Sequence, residues 1–163
     1  MKWNKKFVYP KSIRSTENGI RRYLIGEKKL PSVTSILDAT KSEEDKAALA
    51  IWRERTGLKE SEAIIKAASS RGSKMHAHLE RFLLGQENLS FFDEDEQYKK
   101  MAKQIIEKGL INRFEEVWGV ECTLYKPDSY SGTCDAVGIF DGCESIIDFK
   151  QSNKPKKLEY IDS

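Results

Sequence analysis

The chain lacks the marks of several protein classes. Its three cysteines, Cys122, Cys134 and Cys143, are odd in number and show no C-x-x-C spacing. That argues against a disulfide framework or a zinc site and fits a reducing, cytoplasmic setting. No apolar run reaches the roughly 20 residues needed to span a bilayer. The opening MKWNKKFVYP has no apolar stretch of the kind a signal peptide carries. Nor is there an excess of one charge: 28 basic residues nearly balance 26 acidic ones. Net charge therefore says nothing for or against a polyanionic partner, and distribution matters more. Basic residues gather at the N-terminus (Lys2, Lys5, Lys6, Lys11, Arg14) and again at Lys150, Lys154, Lys156 and Lys157. At 163 residues the chain suits one domain with a sizeable core.

Residues 132–157, GTCDAVGIFDGCESIIDFKQSNKPKK, organise the rest. Asp141-Gly142 between two β-prone runs, 133–140 and 144–149, is a strong hairpin signal. Three polar residues interrupt the apolar pattern: Asp135 early in the first run, and Asp148 and Lys150 at the end of the second. Asp148 and Lys150 are two apart and share a face. Pairing back from the turn sets Asp135 opposite the end of the second run. Two carboxylates held close need a cation between them, or one must take up a proton. A hard divalent ion such as Mg²⁺ suits oxygen ligands, and Lys150 beside it would donate to a developing anion. These are the parts of metal-assisted attack on a phosphodiester. Asp and Lys at strand ends are as often simply solvated, but here the aspartates break the apolar runs TCDAVGIF and IIDFK, where a solvated residue is less expected.

Elsewhere the pattern is mainly helical before residue 113 and β-rich after it. Residues 1–9 form a basic, aromatic arm, an edge strand or a frayed terminus, and RRYLI at 21–25 reads as a short strand. Ser32 caps a first helix; Ser42, with Asp45 three residues on, caps a second that stops at Gly57. Ala48, Leu49, Ile51 and Trp52 make an apolar stripe, so Trp52 is expected in the core rather than stacked on nucleic acid. A third helix, 60–70, is expected to break at Arg71-Gly72 and a fourth to run 73–84. It would place His76 and Glu80 on one face and His78 elsewhere. The acidic run at 93–96 suits the start of a helix reaching about Ile111, with Met101, Ile105, Ile106 and Leu110 buried. A strand at 114–125 contains Glu121, either an extra ligand or a surface position.

G-T-x-D at 132–135 with I-I-D-F-K at 146–150 resembles the PD-(D/E)xK nuclease superfamily. It looks most like the RecB-type branch of phage and mitochondrial genome-maintenance exonucleases. LPSVTSIL at 30–37, RGSKMHAHLE at 71–80 and VECTLY at 120–125 match that branch in order. The resemblance implies an α+β fold with a restriction-endonuclease-like core, a small mixed sheet flanked by helices, in a single domain over residues 1–163. It implies a Mg²⁺- or Mn²⁺-dependent deoxyribonuclease acting as an exonuclease on single-stranded DNA or DNA ends. His76 and the Phe149 backbone carbonyl would join Asp135 and Asp148 at the metal, and Lys150 would activate water. Ser32 and Thr34 would lie near the bound strand's backbone. Lys154 would add a phosphate contact, as would Arg71 unless it makes a helix-end salt bridge. Two alternatives stand beside this: an inactive or split nuclease fold serving as a nucleic-acid-binding subunit, and a structure-specific endonuclease. Some relatives carry an iron–sulfur cluster on four cysteines, which this chain cannot supply. Relatives also continue past K-P-K with a Gln/Tyr-bearing helix and further strands. The C-terminal part is therefore expected to be truncated, with self-association or a second polypeptide completing the sheet. The setting implied is a bacterial or phage-infected cell rather than a mitochondrion.

Overall fold

The computed structural model describes residues 1–86 and 96–152, and the fold is α+β. Its centre is the hairpin of β6 (Tyr130–Phe140) and β7 (Cys143–Ile147). Asp141 and Gly142 both have positive φ, 47° and 77°, as a two-residue type I′ turn requires; its twist matches that of the strands it joins. Glycine takes that conformation freely, and Asp tolerates it better than most residues. Arg113 Nε holds the Asp141 carboxylate with 3.1 Å bonds to both oxygens. The ladder runs from Phe140↔Cys143 to Ala136↔Ile147, and the same register carried one pair further would set Asp135 opposite Asp148. The second strand was expected to reach residue 149 but ends at Ile147. The Phe149 amide leaves the ladder to donate to the Asp135 carboxylate, and the Phe149 ring is buried in the core.

β5 (Phe114–Lys126) pairs antiparallel with β6, and β1 (Lys2–Trp3) adds parallel to β5, giving the order β1-β5-β6-β7. The N-terminus is therefore an edge strand. The Trp3 indole N–H donates to the Leu83 carbonyl at 2.9 Å, and the Asn4 amide to Val117 O at 2.9 Å. A second, antiparallel sheet holds β2 (Ile13–Glu17), β3 (Ile20–Ile25) and β4 (Lys28–Pro31). The first part of the otherwise helical N-terminal region is thus strand, and RRYLI lies in β3.

The caps are local and sit where the sequence puts them. Ser32 Oγ accepts from Ser35 N at 3.0 Å at the head of α1 (Val33–Ala39). Ser42 Oγ accepts from Asp45 N at 3.1 Å and donates to Asp45 Oδ2 at 2.9 Å at the head of α2 (Glu43–Thr56). Trp52 is only half-buried, and α2 contains no buried residue. Its apolar stripe is a single turn long, with polar residues a turn away on either side, so it makes no continuous face against α3.

The expected break at Arg71-Gly72 does not occur: α3 (Leu58–Leu83) is one helix of 26 residues. A glycine inside a helix costs only about 1 kcal/mol, and here its missing side chain leaves room for another. A Cβ on Gly72 would lie 2.8 Å from Gln151 Nε2, the atom that donates to the Ala68 carbonyl. Arg71 Nε donates to Gln151 Oε1 at 2.9 Å. The glycine admits the glutamine that ties the end of the hairpin to the helix.

α4 (Gln97–Ile105) continues into a π-helical turn, Ile106–Leu110, closed by Ile111 N to Ile106 O at 2.9 Å. Met75, Leu79 and Leu83 recur every four residues along α3. They pack with Ala102, Ile106 and Leu110 against Phe114, Val117, Ala136 and Phe149. Leu79→Ala would cost about 2–5 kcal/mol there. This packing fixes α3 across the open end of the hairpin. Residues 93–95 of the acidic run, and Lys154, lie outside the described residues.

Candidate metal centre

On α3, His76 follows the buried Met75 and sits at the rim of the apolar stripe. From there its Nδ1 reaches Asp135 Oδ1 at 3.0 Å. The Phe149 ring meets the imidazole edge-on, with centroids 6.2 Å apart. The second oxygen of Asp135 accepts the Phe149 amide. Asp135 is thereby fixed from both sides, its side chain only 13% exposed.

The third member comes from β5. Pairs Val120↔Ala136 and Cys122↔Cys134 bracket Glu121 and Asp135, so the two carboxylates are cross-strand neighbours on one face. Glu121 has φ of 50°, uncommon for a residue with a side chain; such strain costs about 1–3 kcal/mol and concentrates at functional sites. His76, Glu121 and Asp135 each offer a ligand atom, all within 4.8 Å of one another.

The electrostatics fit that crowding. The hydrogen bond that Asp135 accepts from the ring pushes the His76 pKa up, against an opposing effect of burial, with further help from the Asp135 charge, the Phe149 backbone and Asp148. Glu121 opens onto the cleft, yet its carboxyl is pushed above the usual range, first by partial desolvation and then by the like charges of Asp135 and Glu80. Facing carboxylates with one imidazole form an N,O,O donor set short of positive charge. A divalent cation would supply it, and Mg²⁺ or Mn²⁺ suits such ligands. The residues present fit the metal.

These groups line a cleft of about 740 Å³. It brings together His76, Glu80, Glu121 and Asp135 with Thr34, Asp148 and Lys150. Asp148 and Lys150 share the rim as the sequence spacing requires, with Asp148 Oδ2 2.7 Å from Lys150 Nζ. Asp148 is not in the tight cluster, however. Its side chain is 50% exposed and held by the lysine, and the close carboxylate neighbour of Asp135 is Glu121.

Other expected contacts sit elsewhere. Ser32 is buried and spent on capping α1, while Thr34 reaches the cleft wall. Arg71 lies mid-helix, bonded to Gln151 and to Gln97 Oε1 at 3.3 Å. The Phe149 backbone meets the site twice: its amide donates to Asp135, and a backbone hydrogen bond with His76 helps to raise the imidazole's pKa, as an accepting carbonyl does. His78 points away, stacked on Tyr98 at 5.5 Å.

Sequence reasoning gave Glu121 too little weight. The available signal was a carboxylate between Val120 and Cys122 in an otherwise β-prone strand. It also missed Arg21 and Tyr23, cleft residues two apart on β3 that face Thr16 and Arg14 across β2.

Comparison with known proteins gives one direction. The chain is 32% identical over 139 residues to mitochondrial genome maintenance exonuclease 1 of Mus musculus, a match covering 79% of this chain. It is 29% identical over 135 residues to the Homo sapiens protein of the same name, covering 78%. The similarity is to an exonuclease. The chain spans about two fifths of these relatives' length, 39% and 38%. No protein-family model matches it.

Proposed function

We propose that this protein hydrolyses phosphodiester bonds in DNA with Mg²⁺ or Mn²⁺, acting as an exonuclease on single strands or ends. The observation that carries the reaction is the convergence of His76, Glu121 and Asp135 in a cleft that also holds Lys150. The exonuclease mode rests on the similarity to proteins of that name. His76, Glu121 and Asp135 would hold the cation, which when bound supplies Lewis-acid polarisation of a phosphate oxygen and a more acidic water.

The chain's own groups do the rest. The Phe149 amide and His76 orient Asp135 so that both its oxygens are placed before substrate arrives. Asp148 steadies the Lys150 ammonium on the rim, where it donates to the charge that develops on the phosphoryl oxygens. Arg14, Arg21 and Thr34 on the cleft wall contact phosphates and set the register of the strand. The Gln151 clamp on α3 keeps the segment bearing Asp148 and Lys150 in place.

The test is cleavage of 5′-labelled linear and internally labelled covalently closed circular single-stranded DNA by the purified chain, with Mn²⁺, Mg²⁺ or EDTA. The proposal expects metal-dependent loss of the linear strand and an intact circle. Lys150→Ala should lower kcat about 100-fold with little change in KM, as expected for a group that acts in the transition state. A cut circle would make the protein an endonuclease. Binding without cleavage in either metal would leave a binding subunit and overturn the reaction.

A further inference from the structure

Beyond Glu121 the cleft opens into a second groove of about 730 Å³, sharing Arg14, Tyr23, Glu121 and Thr133 as common walls. Its sides are the N-terminal arm laid over β5, a surface that the proposed reaction uses only at the shared Arg14 and Glu121. We propose that this groove is a binding path for single-stranded DNA, continuous with the metal centre. The proposal rests on the nuclease reading for its choice of substrate.

Charge is the first reason. Lys5, Lys11 and Arg14 line the groove, and none has an ion-pair partner among the described residues. Lys6, in the middle of the same arm, is different: it pairs with Glu144 at 2.9 Å and sits 4.0 Å over the Trp118 ring. Among the groove's described walls the one carboxylate is Glu121, at the junction with the metal centre. A polyanion fits such a surface, with its phosphates on the unpaired cations.

The second reason is aromatic. Trp3 is 41% and Phe7 49% exposed, yet both are fixed. The Trp3 indole N–H is tied to the Leu83 carbonyl at 2.9 Å. The Phe7 ring is held edge-on by Trp118, centroids 5.4 Å apart at 71°, and by Tyr9 at 6.4 Å and 63°. Rigid, solvent-facing rings among unpaired cations are what unstacked bases bind, because every base has a π-face. A duplex keeps those faces inside its own stack, so the rings favour a single strand.

The experiment is equilibrium binding in EDTA, where nothing is cut, by fluorescence anisotropy over a salt series. The probes are oligothymidylates of roughly 4 and roughly 12 nucleotides and a duplex of the longer length. Removing one phosphate contact lowers the salt slope by about 0.7 for a single strand. Lys5→Ala/Lys11→Ala should therefore lower the slope on the long oligonucleotide by about 1.4 and leave the short one, housed near the metal centre, nearly unchanged. Phe7→Ala should weaken the long oligonucleotide about tenfold. Unchanged affinity and slope in the lysine variant, whose exposed side chains do not support the fold, would overturn the groove. So would a duplex that binds as tightly with the same dependence on these residues. If the groove signature is present but the wild type cuts nothing in Mn²⁺, the proposed reaction fails and the groove stands.

Discussion

The two ends of the β6–β7 hairpin each carry an aspartate in a tight polar setting, and they differ in what completes it. At the turn, Asp141 has a cation of its own: Arg113 bonds both oxygens and holds the carboxyl below its usual range. At the open end, Asp135 shares its oxygens between an imidazole and a backbone amide and faces a second carboxylate. The first arrangement is satisfied by the chain. The second gathers more negative charge than the chain neutralises and keeps it in a cleft. The same residue type is structural where its counter-charge is built in, and in the proposed centre serves as a ligand where the counter-charge must come from outside.

That contrast can be broken most directly by matched substitutions. Asp135→Asn should lower kcat/KM on linear single-stranded DNA by about three orders of magnitude, the scale of losing a preorganised charge-stabilising group. Asp141→Asn should stay within about twofold of wild type, as surface substitutions away from a site do. Equal losses would erase the distinction. Next in size is the metal-linked stability of the open end. Mn²⁺ at about 100 times its Kd should stabilise the wild type by about 2.7 kcal/mol, read as a rise in Tm. A carboxyl whose folded pKa is raised loses stability as pH climbs through that pKa, so at pH 7 Glu121 opposes folding. Glu121→Gln should therefore raise the Tm of the metal-free protein and lose the Mn²⁺ response. A lower metal-free Tm would contradict the account. Gly142→Ala should do the reverse, costing about 1–2 kcal/mol because alanine resists the positive φ, with cleavage retained.

The smallest effect is a pH signature of opposite sign at the two ends. His76 has its pKa raised above 6.5 by Asp135. The stability this pair adds is fully present below that value and is lost as pH rises through the folded pKa. The Asp141 pKa is depressed below 3.8, so its contribution is present above that value and is lost on acidification through the folded pKa. Melting curves of metal-free His76→Ala should lack the alkaline loss, and those of Asp141→Asn the acid loss. A variant that keeps the wild-type profile would show that the pair it removes does not set stability.

What the sequence made legible follows from the range of the interactions. The turn at Asp141-Gly142 and the caps at Ser32 and Ser42 are decided within four residues, and they appear where the sequence puts them. The sharing of a face by Asp148 and Lys150 needs only the period of a strand. The weight of Glu121 was hidden because it depends on cross-strand register and a positive φ, neither visible in VECTLY alone. The continuity of α3 was hidden because the partner that explains Arg71-Gly72 is Gln151, 80 residues away from Arg71. That Asp148 pairs with Lys150 instead of joining the tight cluster was hidden too, because the ladder stops at Ile147 and the Phe149 amide bonds to Asp135.

The most direct test of a centre built on His76, Glu121 and Asp135 is anomalous diffraction at the manganese edge from a crystal grown with Mn²⁺. The account predicts one strong peak within bonding distance of all three side chains, and no peak at the Asp141–Arg113 end of the hairpin. A peak held by Asp148 without Glu121, or none in the cleft at saturating Mn²⁺, would contradict it.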